Sequence, residues 1–420
     1  MTNYNSLLDY HKQIGLWNSD EKFSRHGYVL SPEKFVLDSQ MQSQLQEIGK
    51  AVYQFQHDAI SLARLVSSGN GDHAKGMMFK VLKESLNGFP FAISERIAPL
   101  CKVDLMVDSH GNFKIAEIDA YNPRGMAYSM FLNEMHKDLG NVKAENMLSG
   151  VLASDGSFRK SFQNFSNPMW IYSHRERYYE PILKIMNGFM KSKFDCSMEL
   201  VSAVDFEKIR ETQKCKYRNF LMIPWGMQQP EEQETKRFLL EKYFENEQSF
   251  IFPLTPWAGS KGLLGLVSKP YSCELENIVH ECFSQLCSLR KFLPQTLLVS
   301  KRNKENLEDF LKENSECILK ANFSSGMKGV WFKPDEIKTN LAKAVTQKNP
   351  AYTVQELINQ KKFDFQAFDS SGGLYDGQWY IRLVIHVDDM GNVVDAVVTG
   401  RPEPDVHGAP DCIMLPCVLG

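Results

Sequence analysis

Apolar residues recur at near-helical spacing through QMQSQLQEIGKAVYQFQHDAISLARLVSS, and Gly69 with Gly71 closes that pattern. Residues 1–90 therefore read as mostly helical. Around 101–120 the chain changes to strand chemistry about a tight turn. A polar stretch rich in Gly, Ser and Asn then marks a boundary near 150–168. From 169 the period alternates between strand and helix. MWIYS, SMELVSAVD and NFLMIPWG are apolar runs separated by the amphipathic EPILKIMNGFMKSK and the polar FEKIRETQK, which predicts a small parallel α/β unit. The helical EEQETKRFLLEKYFENEQ leads on to Pro253. Beyond Pro294 come LLVSK, a helix ENLEDFLKEN, the strand CILKANF, a glycine loop, a second helix IKTNLAKAVTQ and TVQELI. WYIRLVIHV and NVVDAVVTG close the chain as an antiparallel pair.

Length and composition narrow the class. At 420 residues, two to three structural units are expected. With 43% hydrophobic and 24% charged residues the chain is a globular protein and not a disordered one. A formal net charge of −3 supplies no global field for nucleic acid or anionic lipid. The nine cysteines are scattered without a C-x-x-C, which speaks against zinc and for small buried side chains in a reducing compartment. The N-terminus does not read as a signal peptide, and no run is long and apolar enough for a spanning helix; the expected address is the cytoplasm.

The first chemistry sits in KVDLMVDSHGNFKIAEID, residues 102–119. A two-residue turn at His110-Gly111 would set Asp104 opposite Glu117 and Lys102 opposite Asp119, all on one face. Opposed carboxylates repel unless a cation lies between them. A hard, oxygen-liganded ion such as Mg²⁺ suits Asp104, Glu117 and Asp119, and a solvated acidic hairpin is the plainer alternative. The second chemistry is ILKANFSSGMKGVWF. Lys320 would give a point charge to a phosphate, and the amides of Ser324, Ser325, Gly326 and Gly329 would approach a polyphosphate. No Walker motif is present.

About 25 residues on, YTVQELI resembles the strand and hinge of ATP-grasp proteins, which places Gln355, Glu356 and Leu357 at the adenine edge. WAGSKGLLGLVS resembles the family segment in which a lysine opens the helix leading to the nucleotide domain, so Lys261 becomes a second phosphate contact and Lys301 a lesser one. The order of these features, acidic hairpin first and nucleotide lysines later, resembles the permuted ATP-grasp arrangement of the glutathionylspermidine synthetase family. That family carries R-x-D and E-x-N; here stand Lys102-Val-Asp104 and Glu117-Ile-Asp119, followed by AYNPRG with Asn122 nearby. The resemblance touches residues 100–130 and 255–420.

It implies an α/β (α+β) ATP-grasp fold in permuted order with an inserted pre-ATP-grasp-like parallel domain. The units would be 1–165 (helical region and metal hairpin), 166–255 (inserted α/β domain), 256–375 (nucleotide-binding subdomain) and 376–420 (strands completing the core). The implied activity is an ATP-dependent carboxylate–amine ligase working through an acyl phosphate, with ATP and Mg²⁺ bound. Arg382 would lie over the transferred phosphoryl group, Lys102 would take the place of the family's arginine, and Arg124 would hold a substrate carboxylate. Arg401, His407, His174, Arg175 and Arg177 are weaker candidates, more simply read as surface. The substrates would be small-molecule or peptide acids and amines, a carrier-bound acyl group included. A kinase of the same fold and a non-catalytic nucleotide-binding regulator are the alternative classes.

Overall fold

The computed structural model describes residues 4–13, 28–68, 72–84, 94–120, 125–143, 148, 150, 156, 158, 160, 168–174, 177, 180–212, 220–222, 227, 229–270, 272–284, 286–299, 303–314, 316–322, 329–346, 351–407 and 411–420. Its strands, numbered in chain order, are β1 (Phe35–Leu37), β2 (Leu100–Val107), β3 (Phe113–Asp119), β4 (Met169–Tyr172), β5 (Glu199–Ser202), β6 (Phe220–Met222), β7 (Thr296–Val299), β8 (Cys317–Ala321), β9 (Val330–Trp331), β10 (Tyr352–Glu356), β11 (Lys362–Phe368), β12 (Leu374–Asp388), β13 (Val393–Arg401) and β14 (Ile413–Leu419). They form three sheets. The largest runs β1-β14-β13-β12-β2-β3, and β11 extends it.

The backbone of this sheet is β12. Its alternating LYDGQWYIRLVIHVD buries Ile381, Leu383, Ile385 and Val387 on one face and carries Arg382, Val384 and His386 on the other. One edge pairs with β13, and the other is shared end to end by β11 and β2. Thus the expected antiparallel pair is present, although β14 follows it and closes the chain, and β2–β3 joins it as a further hairpin. The expectation of a mostly helical first 90 residues holds for Tyr4–Gln13, Ser39–Ser67 and His73–Glu84. Between them, however, β1 pairs parallel to β14 and seals the sheet's far edge. Three residues are too short for a periodicity to show in sequence. The long helix Ser39–Ser67 starts where the Asp38 carboxylate accepts the Met41 N–H at 2.8 Å.

The second sheet, β7-β10-β8-β9, is antiparallel and has its own small core of Leu297, Val299, Leu307, Phe310, Leu319 and Val354. Helices Lys304–Glu313 and Pro334–Ala344 supply its cover. The third, β5-β4-β6, is parallel, as the strand–helix alternation predicts, although Ala203 already begins a helix there. Residues 357–361 tie the second sheet to the first: Ser109 donates to the Asn359 carbonyl, and Lys361 to that of Val107. Among the described residues no helix is long and apolar enough to cross a membrane.

Candidate active site

The acidic hairpin pairs as expected where it matters and differs at its tip. Lys102 opposes Asp119 and Asp104 opposes Glu117, but nearer the turn Leu105 opposes Ile115 and Val107 opposes Phe113. The turn holds three residues, 109–111, with Asp108 N–H bonded to the Asn112 carbonyl and Gly111 in the left-handed region at φ 84°. The expected two-residue turn at His110-Gly111 is therefore corrected. Asp108 selects the longer turn, because its Oδ1 accepts the N–H groups of His110 and Asn112. A β-bulge between Asp104 and Leu105 leaves Ala116 without a cross-strand partner and restores the acid pairing.

Lys102, Asp104, Glu117 and Asp119 thus share a face, and that face meets the second sheet and the helix Lys261–Ser268. Lys102 Nζ lies 3.1 Å from Asp104 Oδ1 and 3.3 Å from Asp119 Oδ2. Lys261, the first residue of its helix and 6% exposed, reaches Glu117 at 3.1 Å. Arg382 lies 3.5 Å from Asp104 Oδ2. Ser260 caps the Lys261 helix by accepting the Gly262 N–H, and Lys261 N–H bonds to the carbonyl of Asn322, the residue after β8. From that sheet Lys320 donates to Gln355 Oε1 at 2.6 Å and to the carbonyl of the bulged Ala116 at 3.4 Å. Gln355 in turn donates to Thr296 at 2.9 Å.

The charges of this cluster set one another. Burial opposes ionisation of Asp104, but Lys102 and then Arg382 outweigh it and hold the carboxyl below its usual range. Glu117 is lowered in the same way: burial opposes, and Lys261 and Lys102 prevail. Lys102 is raised, its burial overcome by Asp104, Asp119 and Glu117. Among the described residues Lys320 makes no ion pair with a carboxylate, and burial followed by the neighbouring Lys261 charge outweighs Glu117 and Asp104 and lowers it to about 8.

Among the described residues no three His, Cys, Asp or Glu side chains converge on one metal position. Asp119 stands opposite Lys102 in the register, and the acids that oppose each other are Asp104 and Glu117. Asp104 is 5% exposed, and its Oδ1, though within ion-pair distance of Lys102, makes no directional hydrogen bond. Two carboxylates are the number Mg²⁺ takes when phosphate oxygens complete its shell, so the donor set fits a divalent ion bound together with a polyphosphate.

Other expected residues fall elsewhere. Ser324, Ser325, Gly326, Arg124, Asn122, Lys301 and Arg175 lie outside the described residues. Gly329 lies within them, at φ 77°. At the hinge the N–H groups of Glu356 and Leu357 are already bonded, to the carbonyls of Gln295 and Glu316. Arg401, the last residue of β13, is held by Asp405 and Asp411 beyond the strand, with His407 at 3.2 Å. His174 is exposed and its N–H is taken by Glu232, and Arg177 is exposed. One pair escaped sequence reasoning: His386 and Asp395 are fully buried, directly opposed, and share the face of Lys102 and Arg382. Their Nδ1 and Oδ2 are 3.2 Å apart, without hydrogen-bond geometry at any of their side-chain polar atoms. The alternation of WYIRLVIHV, already used for Arg382, could have placed His386 on that face.

No family model and no curated protein matches this chain. Among solved structures it is similar to a glutathione synthetase-like effector from Globodera pallida, determined in its apo form. The likeness has a TM-score of 0.59 at 12% sequence identity, over 99% of this chain and 96% of that one. The mixed α/β architecture is thus shared with this glutathione synthetase-like structure over nearly the whole length.

Proposed function

We propose that the protein is an ATP-dependent carboxylate–amine ligase, with Mg-ATP bound where the second sheet faces the β2–β3 hairpin. The observation that carries this reading is the convergence of Lys102, Arg382, Lys261 and Lys320, from four separate segments, beside the opposed Asp104 and Glu117. Bound Mg-ATP would supply the transferable phosphoryl group and the means of neutralising its oxygens.

The chain's own residues position and stabilise. Lys261 and Lys320 would hold phosphate oxygens, with the 324–329 loop contributing amides. Asp104 and Glu117, with Asp119 beside them, would hold the ion. Arg382 and Lys102 would face the charge that builds on the transferring group, and Arg124 would orient the acid. The acid's oxygen takes the γ-phosphoryl group with release of ADP, and the amine then displaces phosphate from the acyl phosphate. With both N–H groups engaged, the carbonyls of Glu356 and Leu357 would be the hinge's contribution at the adenine edge. The order of hairpin before nucleotide lysines supports the permuted arrangement. Small-molecule, peptide or carrier-bound substrates and a cytoplasmic setting complete the proposal.

Hydroxylamine tests it. With Mg-ATP and a panel of carboxylates, and no natural amine, a hydroxamate should accumulate in step with ADP. ADP release accompanied by a stable phosphorylated product would instead establish a kinase, and nucleotide binding without either product a regulator.

A further inference from the structure

His386 and Asp395 cost the fold more than two apolar residues would. Both are fully buried, and neither ring nitrogen and neither carboxylate oxygen has a hydrogen-bond partner among the described residues. Polar groups left in that state destabilise a sheet interior. The next opposed pair on the same face, Val384 and Val397, fills its space with carbon alone. The backbone is also bent to make the pair. Continued from Val387 opposite Val393, a regular ladder would set His386 against Val394 and turn Asp395 to the apolar face of Ile385. A bulge takes Val394 out of the ladder, its carbonyl accepting the Gly150 N–H at 2.7 Å, and brings Asp395 round to His386.

Asp395 Oδ2 lies 3.2 Å from His386 Nδ1, so Nε2 is on the ring edge directed away from the carboxylate. The strand on the side of β12 opposite β13 is β2, and there Lys102 is the register partner of His386. We infer that His386 is a positioning residue for Lys102: Asp395 holds the imidazole proton on Nδ1, and the Nε2 lone pair accepts an N–H of the Lys102 ammonium. The hydrogen bond at one ring nitrogen decides the state of the other. An ammonium has three N–H donors, and Asp104 and Asp119 stand 3.1 and 3.3 Å from this one. A turn of the imidazole about its side-chain bonds brings Nε2 to the third and aligns Nδ1–H with Oδ2. Lys102 is then aimed from both flanks, by the acids and by the ring. The inference rests on the ligase reading for what Lys102 faces, the transferring phosphoryl group, and adds the residue that sets its aim.

Ring-¹⁵N histidine labelling of the full chain reads the tautomer by magnetic resonance. The His386 signals are those lost in His386→Gln, or those moved in Asp395→Asn should the first variant fold poorly. They should show hydrogen on Nδ1 and none on Nε2, and the Nε2 signal should move in Lys102→Met. Asp395→Leu should send the proton to Nε2. A wild-type ring with hydrogen on Nε2, or an Nε2 signal indifferent to Lys102→Met, would overturn the inference. Catalysis supplies a second arm. His386→Phe removes the acceptor and should lower the hydroxamate rate on the order of 100-fold, with the Kd of Mg²⁺ and a non-hydrolysable ATP analogue unchanged. His386→Gln keeps an accepting oxygen and should recover most of that rate. In a Lys102→Met chain, His386→Phe should lower the rate no further, because its effect passes through the lysine. Equal loss of rate and analogue affinity, or the full loss of rate in the Lys102→Met chain, would make the role one of folding and overturn the inference. A wild type that traps no hydroxamate would remove the ligase reading, and the ring signals would still decide whether His386 holds Lys102.

Discussion

Gly259→Ala puts a methyl group where two parts of the site touch. Gly259 ends the 3-10 turn Pro256–Gly259, immediately before Ser260 and the helix that Lys261 opens. A Cβ there would lie 2.7 Å from the Ile118 carbonyl oxygen, 3.3 Å from the Ala120 nitrogen and 3.4 Å from the Asp119 Cα. All three are backbone atoms of β3 and its end, so no rotamer change relieves the clash. Restoring ordinary contact requires the turn and the strand to part by roughly 0.7 Å. Overpacking of this kind costs about 1–3 kcal/mol. The same displacement carries Lys261 Nζ away from Glu117, now 3.1 Å apart, and from the phosphates it is proposed to hold. A charge-assisted contact of that type is worth about 1.5–3 kcal/mol, which is about a 10- to 140-fold rise in Kd. Urea denaturation and calorimetry with Mg²⁺ and a non-hydrolysable analogue measure the two effects. Gly76→Ala is the control, because nothing lies within 4 Å of a Cβ at that helical position. A Gly259→Ala chain that matches Gly76→Ala in both midpoint and Kd would refute the reasoning.

Lys320 should make nucleotide affinity fall above pH 8. Its folded pKa of about 8 lies below the unfolded 10.5, so the unfolded chain holds the extra proton between those values and stability rises with pH across that window. Binding that needs the ammonium must take up a proton there, and Lys320→Arg should abolish the uptake measured calorimetrically in buffers of different ionisation enthalpy. Burial, aided by the charges of His11 and Lys34, lowers His136 to about 4. The unfolded chain therefore binds more protons between pH 6.5 and 4, and stability should fall by about 3 kcal/mol as pH drops through that range. His136→Gln should flatten this limb in urea midpoints taken at pH 7 and pH 4.5. Arg382→Ala should depress hydroxamate formation and natural ligation equally, since its proposed place is over the phosphoryl step that precedes amine attack; unchanged trapping would remove it from that step.

How far the sequence could be read depended on the range of the interaction. The hairpin acids were legible because strand alternation is local: Lys102, Asp104, Glu117 and Asp119 needed only a register. Lys261 at a helix start and Lys320 at a strand end were legible as positions, and their partners were not. Nothing local says that Lys320 reaches Ala116, 204 residues earlier, or that Lys261 takes Glu117. The three-residue turn was missed because the Asp108 carboxylate that shapes it looks like any other hairpin acid. The strands β1, β11 and β14 were missed because the sheet, and not their own sequence, determines their pairing. His386 and Asp395 become noteworthy only once β13 is laid beside β12 in register.

The bulge at Ala116 makes two duties of one hairpin separable. A turn rebuilt as a two-residue Asn-Gly type, in continuous register, would still set Asp104 against Glu117, because the three-residue turn and the bulge cancel one another in the count. Ala116 would then pass into the ladder, and its carbonyl would no longer be held out toward Lys320. Such a chain would keep its acid pair and lose a tether to the second sheet. Relatives that carry the regular hairpin would on this logic have to anchor the equivalent lysine from elsewhere. Insertions at the tip and insertions at the bulge would then be inherited as a matched pair, and a one-residue offset in an alignment of this segment would record a change of tether with the acids still facing one another.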